Sequence, residues 1–299
     1  MTSLSANQRG ILALIGGMIA YTINDAMVKS IAHNYPIGEV IFVRGMMTAT
    51  LIGICVVALG QAGKLRHAAS KPVLIRSVFD GISTACFITA LVHIKLADLA
   101  AMLQVSPLLL TAFSVLFYRE VVGWRRWAAI LVGFAGAMCV VKPEPSSFDV
   151  WALVALAAAT SSALREMQTR RIDRSIPTVI VAFMGSIGIL IVGALFAAAG
   201  EWRPIAPADL AMLVGASVFV GIATYSIALA FRGVDLSVVA PFRYTYLLTS
   251  AIAGFFFFSE IPDSWSAAGA VLIVGSGLYA LHREAVRQRE LSAKATATL

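Results

Sequence analysis

Residues 95–141 read KLADLAAMLQVSPLLLTAFSVLFYREVVGWRRWAAILVGFAGAMCVV, and the same order of signals returns at residues 232–281, RGVDLSVVAPFRYTYLLTSAIAGFFFFSEIPDSWSAAGAVLIVGSGLYAL. Each stretch opens on a basic residue and an Asp-Leu pair, carries a proline inside an apolar block, and ends that block on a glutamate, Glu120 or Glu260. A Gly-rich apolar block follows in both, with Gly133 and Gly136 in the first copy and Gly275 and Gly277 in the second. Blocks of about 20 apolar residues have the length needed to cross a hydrocarbon core of ~30 Å. Each copy is therefore a pair of consecutive spans.

Working outward from this pair, ten spans are predicted at about residues 10–31, 37–59, 73–93, 98–118, 124–141, 150–171, 177–199, 209–231, 236–258 and 265–281. The quoted copies are spans 4–5 and 9–10, so the repeating unit is five spans long. Five is odd, and the two halves must enter the membrane from opposite sides, as in transporters with inverted repeats and a midplane site between them. The expected fold is an all-α integral membrane protein of ten transmembrane helices, in two inverted five-helix repeats around a central cavity. The expected units are residues 1–146, residues 147–284 and a cytoplasmic tail, residues 285–299, with the polar chain from His282 onward frayed. Most connections are short, so neighbouring spans are expected to pack antiparallel.

Composition agrees. The chain of 299 residues is 59% hydrophobic and 13% charged, with a mean hydropathy of +0.85, against about 25% charged for a soluble domain. The formal net charge is +7, but the basic residues sit in short loops between apolar blocks, which dismisses a nucleic-acid partner. Most of them fall on one face, in the Arg9, Lys64–Arg76, Arg119–Arg126, Arg165–Arg174, Arg232 and Arg283–Lys294 groups. By the positive-inside rule both termini are expected in the cytoplasm, in a bacterial-type inner membrane. Cys55, Cys86 and Cys139 each lie in an apolar block without CxxC spacing, and read as packing residues. The first block carries Asn24, Asp25 and Lys29 and no cleavage pattern, so it is expected to remain as a helix.

On the two Pro…Glu-then-Gly-rich units, on NDAMVKS in span 1 and on VVAPFRYTYLL in span 9, the chain resembles the drug/metabolite transporter superfamily, EamA branch. The resemblance covers essentially the whole sequence. It implies a ten-helix basket, alternating access without ATP, and small-molecule substrates. Characterised relatives include amino-acid exporters of the YddG type and carriers of riboflavin or S-adenosylmethionine.

Candidate site residues are the polar groups within spans, where a charge at the bilayer centre costs at least ~2.5–3.5 kcal/mol and needs a partner or water. Asp25 lies six residues below the outer end of span 1 and Arg44 seven below that of span 2. At about 1.5 Å per residue both are roughly 10 Å deep and can meet. Asn24 adds a donor and an acceptor. The group reads either as a polar wall of a substrate path or as an ion pair locking spans 1 and 2. Lys29 and Glu39 share a shallower level and read as structural. On the inner half, Asp80 and Arg243 share a depth and can pair. Arg243 follows Pro241, which frees a carbonyl inside the membrane, and precedes Tyr244 and Tyr246. A guanidinium there can clasp a carboxylate. Gln104, Ser106 and Pro107 occupy the matching stretch of span 4. Tyr225 and Phe87, in equivalent spans, are further cavity candidates.

The remaining signals read as structural: Gly16, Gly17 and the four repeat glycines for close helix approach, Glu120 and Glu260 as helix caps, the five tryptophans as interface anchors, and His93 as a satisfied polar residue. No HExxH, GxSxG or carboxylate cluster is present, so neither an enzyme nor a cofactor or metal is expected. The reading is a secondary transporter, foremost an exporter of amino acids or related amphipathic solutes. The alternatives are an uptake carrier for riboflavin or S-adenosylmethionine, and a structural membrane protein.

Overall fold

The computed structural model describes residues 6–118, 124–141, 150–169, 171–173, 175–198, 200–230 and 239–297. In order, the helices are α1 (Ala6–Ala32), α2 (Ile37–Ala58), α3 (Lys71–His93), α4 (Leu96–Leu103), α5 (Ser106–Tyr118), α6 (Trp124–Val141), α7 (Val150–Thr169), α8 (Thr178–Ala198), α9 (Pro207–Ala230), α10 (Thr245–Phe258) and α11 (Ser264–Ala297). Short 3-10 turns occupy Ala62–Ala69 and Ala240–Tyr244. Among the described residues there is no strand. Among the described residues, six helical stretches are long and apolar enough to cross a membrane, and two shorter apolar helices accompany them. A helix suits an apolar solvent because it satisfies its backbone N–H and C=O groups within the segment.

The expected spans lie within a few residues of these helices. Two of them are broken. Span 4 is α4 and α5, separated at Gln104–Val105, where the Gln104 and Val105 N–H groups donate to Ala101 and Met102 in 3-10 fashion. Pro107 follows, with no N–H to continue the ladder. In span 9 the described residues run from the Pro241-containing turn into α10. Both irregular stretches adjoin the proline that the two copies share. The last helix differs from expectation, because α11 runs on to Ala297 rather than fraying at His282. Its HREAVRQRELSAKA segment is rich in Ala, Arg, Glu and Leu, the best helix formers.

Sequence neighbours are not the principal packing partners. Span 1 lies along span 8, span 3 along span 6, span 2 along span 7 and span 5 along span 10, while α1 and α2 form no packed interface. A short connection constrains direction only, whereas contact goes to the faces that fit best. The partnering is unchanged when each span number is shifted by five: 1 with 8 becomes 6 with 3, and 2 with 7 maps onto itself. Glycine makes the close approaches. A Cβ on Gly136 would lie 2.8 Å from the Gly269 carbonyl oxygen, and one on Gly269 would lie 2.5 Å from that of Gly136. Gly16 and Gly275 meet nothing within 4 Å, so those two are not contact glycines. Glu120, residues 231–238 and the 146/147 division lie outside the described residues.

Candidate functional site

Three polar groups gather along the bundle. At one end, Lys29 near the C-terminus of α1 bonds Glu260 Oε1 at 2.5 Å and the Ile94 carbonyl at 2.7 Å. Glu260 Oε2 accepts the Leu96 N–H at 2.8 Å, which caps the N-terminus of α4. The turn that aims Glu260 is local. Ser259 is left-handed (φ 52°), and the Glu260 N–H closes back onto the Gly254 carbonyl, the usual way to end a helix although glycine is preferred there. The expected Lys29–Glu39 pairing is replaced. Glu39 instead accepts the Arg203 N–H at 3.0 Å, because the Lys29 chain turns toward span 9 rather than toward unpacked span 2. Lys95 bonds the Ile261 carbonyl, Tyr35 bonds Asp209, and His93 stacks on Trp151 with ring centres 3.6 Å apart.

At the other end, Asp80 on α3 is held by Arg76 at 2.6 Å and by Arg165 of α7 at 3.1 Å. Arg76 also donates to Thr169 Oγ1 and the Val181 carbonyl. Arg243 does not reach Asp80; its partner is Glu166 Oε1 at 3.3 Å, and Glu166 also lies 3.8 Å from Arg165. Span 6 stands against span 3 and supplies the intervening Arg165 and Glu166, which pair with Asp80 and Arg243 in place of the expected direct contact. The result is a chain of alternating charges, Arg76–Asp80–Arg165–Glu166–Arg243. Sequence reasoning treated Arg165 only as part of a basic face. The i,i+4 spacing of Arg76 and Asp80 was the available signal.

Between these ends lies the third group. Tyr246 Oη donates to Asp25 Oδ2 at 2.6 Å and Asn24 Nδ2 to Asp25 Oδ1 at 2.8 Å. Asp25 and Asn24 are 3% and 1% exposed, so water does not solvate them. Arg44 is close enough for its charge to act on Asp25 and on Tyr21, yet among the described residues no ion-pair contact joins it to Asp25. The expected direct pair is thus a separated pair, because α1 and α2 are not packed together. Asn24 Oδ1, Arg44 Nε, Gln104 Nε2, Ser106 Oγ and Ser250 Oγ are sealed from solvent without a hydrogen-bond partner. Each such atom costs about 1–3 kcal/mol, and they sit on spans 1, 2, 4 and 9. Gln61, Ser70 and Ser266 carry similar atoms near helix ends.

Two candidates leave the group. Tyr225 is 71% exposed on the outer surface of α9, so its ring faces the lipid. Tyr244 is wedged against Gly277 of α11, which has no side chain in its way. Phe87 packs on the main apolar core. An apolar groove of about 620 Å³ lies between α1 and α10, lined by Ile19, Ile23, Ile252 and Phe256 among others. It contains none of the charged residues. Thr22 and Thr249 bond at 2.6 Å across it. Among the described residues no cluster of His, Cys, Asp or Glu could hold a metal ion.

The EamA-like transporter family matches twice, over residues 8–142 and 149–281. The chain is 30% identical over 275 residues to the pseudopaline exporter CntI of Pseudomonas aeruginosa (strain UCBPP-PA14), covering 89% of this chain and 93% of that protein. It is 26% identical to the S-adenosylmethionine uptake transporter of Rickettsia bellii, over 89% of this chain and 91% of that one. It is 27% identical to the riboflavin transporter of Vibrio cholerae, over 94% and 95%. A solved crystal structure shares the fold with a TM-score of 0.60 and 21% identity, covering 90% of this chain and 96% of the other. The two-fold match, its span across nearly all of both halves and the helical membrane architecture agree: the chain belongs to the EamA-like transporter family, as a multi-pass membrane transporter and not an enzyme.

Proposed function

We propose that this transporter exports amino acids or related amphipathic solutes across a bacterial-type inner membrane by alternating access, with both termini in the cytoplasm. The observation that carries this reading is the separation of the buried Asp25 carboxylate from the half-buried Arg44, whose Nε is sealed and unbonded, with no ion pair between them. Opposite charges in a low-dielectric interior attract strongly, and a fold that keeps them apart favours a polar solute between them. The breaks in spans 4 and 9 support it, since irregular backbone at membrane depth is tolerated where it lines protein or a water-filled path. Export is favoured by the pseudopaline exporter among the relatives. The five-span shift that preserves the packing fits two halves related by an axis in the membrane plane, residues 1–146 and 147–284. Rocking one half against the other would open the two ends in turn.

The test is counterflow into proteoliposomes of the purified full chain, with labelled L-phenylalanine, L-methionine and L-threonine beside riboflavin and S-adenosylmethionine. Exchange of the amino acids above protein-free vesicles is expected. Exchange of riboflavin alone would replace this reading with the uptake-carrier class. A phosphatase fused after Leu299 should be inactive in the periplasm, and activity there would reverse the topology.

A further inference from the structure

We propose that Arg44 and the Asp25–Asn24–Tyr246 cluster are the two poles of a clasp for a zwitterion of the α-amino-acid type, with the substrate carboxylate on Arg44 and its ammonium at Asp25. This rests on the transport reading and narrows it to a charge pattern. Four arginines of this interior can be compared. Arg76, Arg165 and Arg243 are each within 3.3 Å of a carboxylate oxygen. Arg44 has no such partner among the described residues, and its Nε is sealed from solvent and unbonded. A guanidinium in a span demands an anion, and its planar fork suits a carboxylate held by two bonds.

The other pole is the complement. Both oxygens of Asp25 are bonded, but only to neutral donors, the Tyr246 hydroxyl and the Asn24 amide. Those bonds fix the carboxylate's orientation and leave its charge without a cation in contact. Because the Asn24 nitrogen is committed to Asp25, its oxygen is the atom left over, and that oxygen is unbonded. A carboxylate with free lone pairs beside an amide acceptor is what an ammonium, with three donors, requires. Asp25 and Arg44 do not collapse onto each other, since Asp25 is tethered to span 9 through Tyr246 and α1 is not packed on α2. The acceptors on span 1 and the donor on span 2 thus stand on two helices that do not pack on each other.

The experiment measures how well four analogues compete with labelled L-phenylalanine in counterflow, and how each shifts the melting temperature of the full chain in detergent. The four are L-phenylalanine, L-phenylalaninamide, 2-phenylethylamine, which lacks the carboxylate, and 3-phenylpropionate, which lacks the ammonium. The zwitterion should compete at least tenfold better than any single-charge analogue. Arg44→Gln should lose that advantage over the amide and the amine, and Asp25→Asn its advantage over 3-phenylpropionate. Arg44→Lys, which keeps the charge but not the fork, should retain charge selection with at least tenfold weaker competition, and serves if the glutamine variant does not fold. Equal competition by acid and amide in the wild type would overturn the clasp, as would unchanged discrimination in Arg44→Gln or undiminished competition by L-phenylalanine in Arg44→Lys. Exchange of riboflavin without any amino acid would sink the clasp and leave transport standing. No exchange of any probe by monodisperse protein would sink both.

Discussion

Lys29 on α1 and Glu260 beyond α10 join at 2.5 Å, with side chains only 4% and 16% exposed, and Glu260 carries the link on to the start of α4. The pair is long-range in sequence and ties the first half of the chain to the second at one end of the bundle. Breaking a buried pair by removing one partner costs roughly 3–5 kcal/mol, because the other charge is left uncompensated.

Lys29→Met and Glu260→Gln should therefore each lower the melting temperature of the detergent-solubilised protein. The double variant should lose less than the sum of the two, as a coupled pair does. Additive losses would mean that the two residues act independently.

Tyr246→Phe removes the 2.6 Å hydrogen bond to the buried Asp25 carboxylate. Hydrogen bonds to charged groups contribute about 1.5–3 kcal/mol, and transport should fall with stability. Tyr225→Phe, on the lipid-facing surface, should leave both unchanged. A normal Tyr246→Phe transporter with matched expression would show that the hydroxyl does not orient Asp25.

In the inner chain of charges, Asp80 answers two arginines and Glu166 answers the more exposed end. Asp80→Asn should thus be the more damaging change, by about 3–5 kcal/mol as for a broken buried pair, seen as reduced thermal stability. Arg243 makes a single contact to Glu166 and is 37% exposed at its side chain. Arg243→Lys should keep near-normal transport, while Arg243→Ala and Glu166→Gln should fall together. Loss of transport in Arg243→Lys would instead indicate a two-bonded contact to substrate.

The Gly136–Gly269 seam between α6 and α11 has no room for a side chain on either helix. Gly136→Val should separate them and cost stability of about 1–3 kcal/mol, the range for overpacking. Gly275→Ala, where a Cβ meets nothing within 4 Å, should be neutral. Similar melting of the two variants would remove the seam from the account.

The membrane-spanning helices and the five-span repeat were legible in the sequence, whereas the end of the last helix was not, since the polar stretch from His282 continues as α11 to Ala297. In a bilayer each segment must satisfy its own backbone, so helix length and axial position are local properties. The partners were not legible. Lys29 was matched by depth to Glu39 and Arg243 to Asp80, but depth is one coordinate. Which groups meet also depends on the direction each side chain leaves its helix and on which helices are adjacent. Only the tertiary structure decides that span 1 lies on span 8 and span 3 on span 6, with α1 and α2 left unpacked. That choice brings Glu260 to Lys29 and Glu166 to Arg243, and holds Asp25 and Arg44 apart, because helix contact follows shape between surfaces distant in sequence and not the short loops that join neighbours.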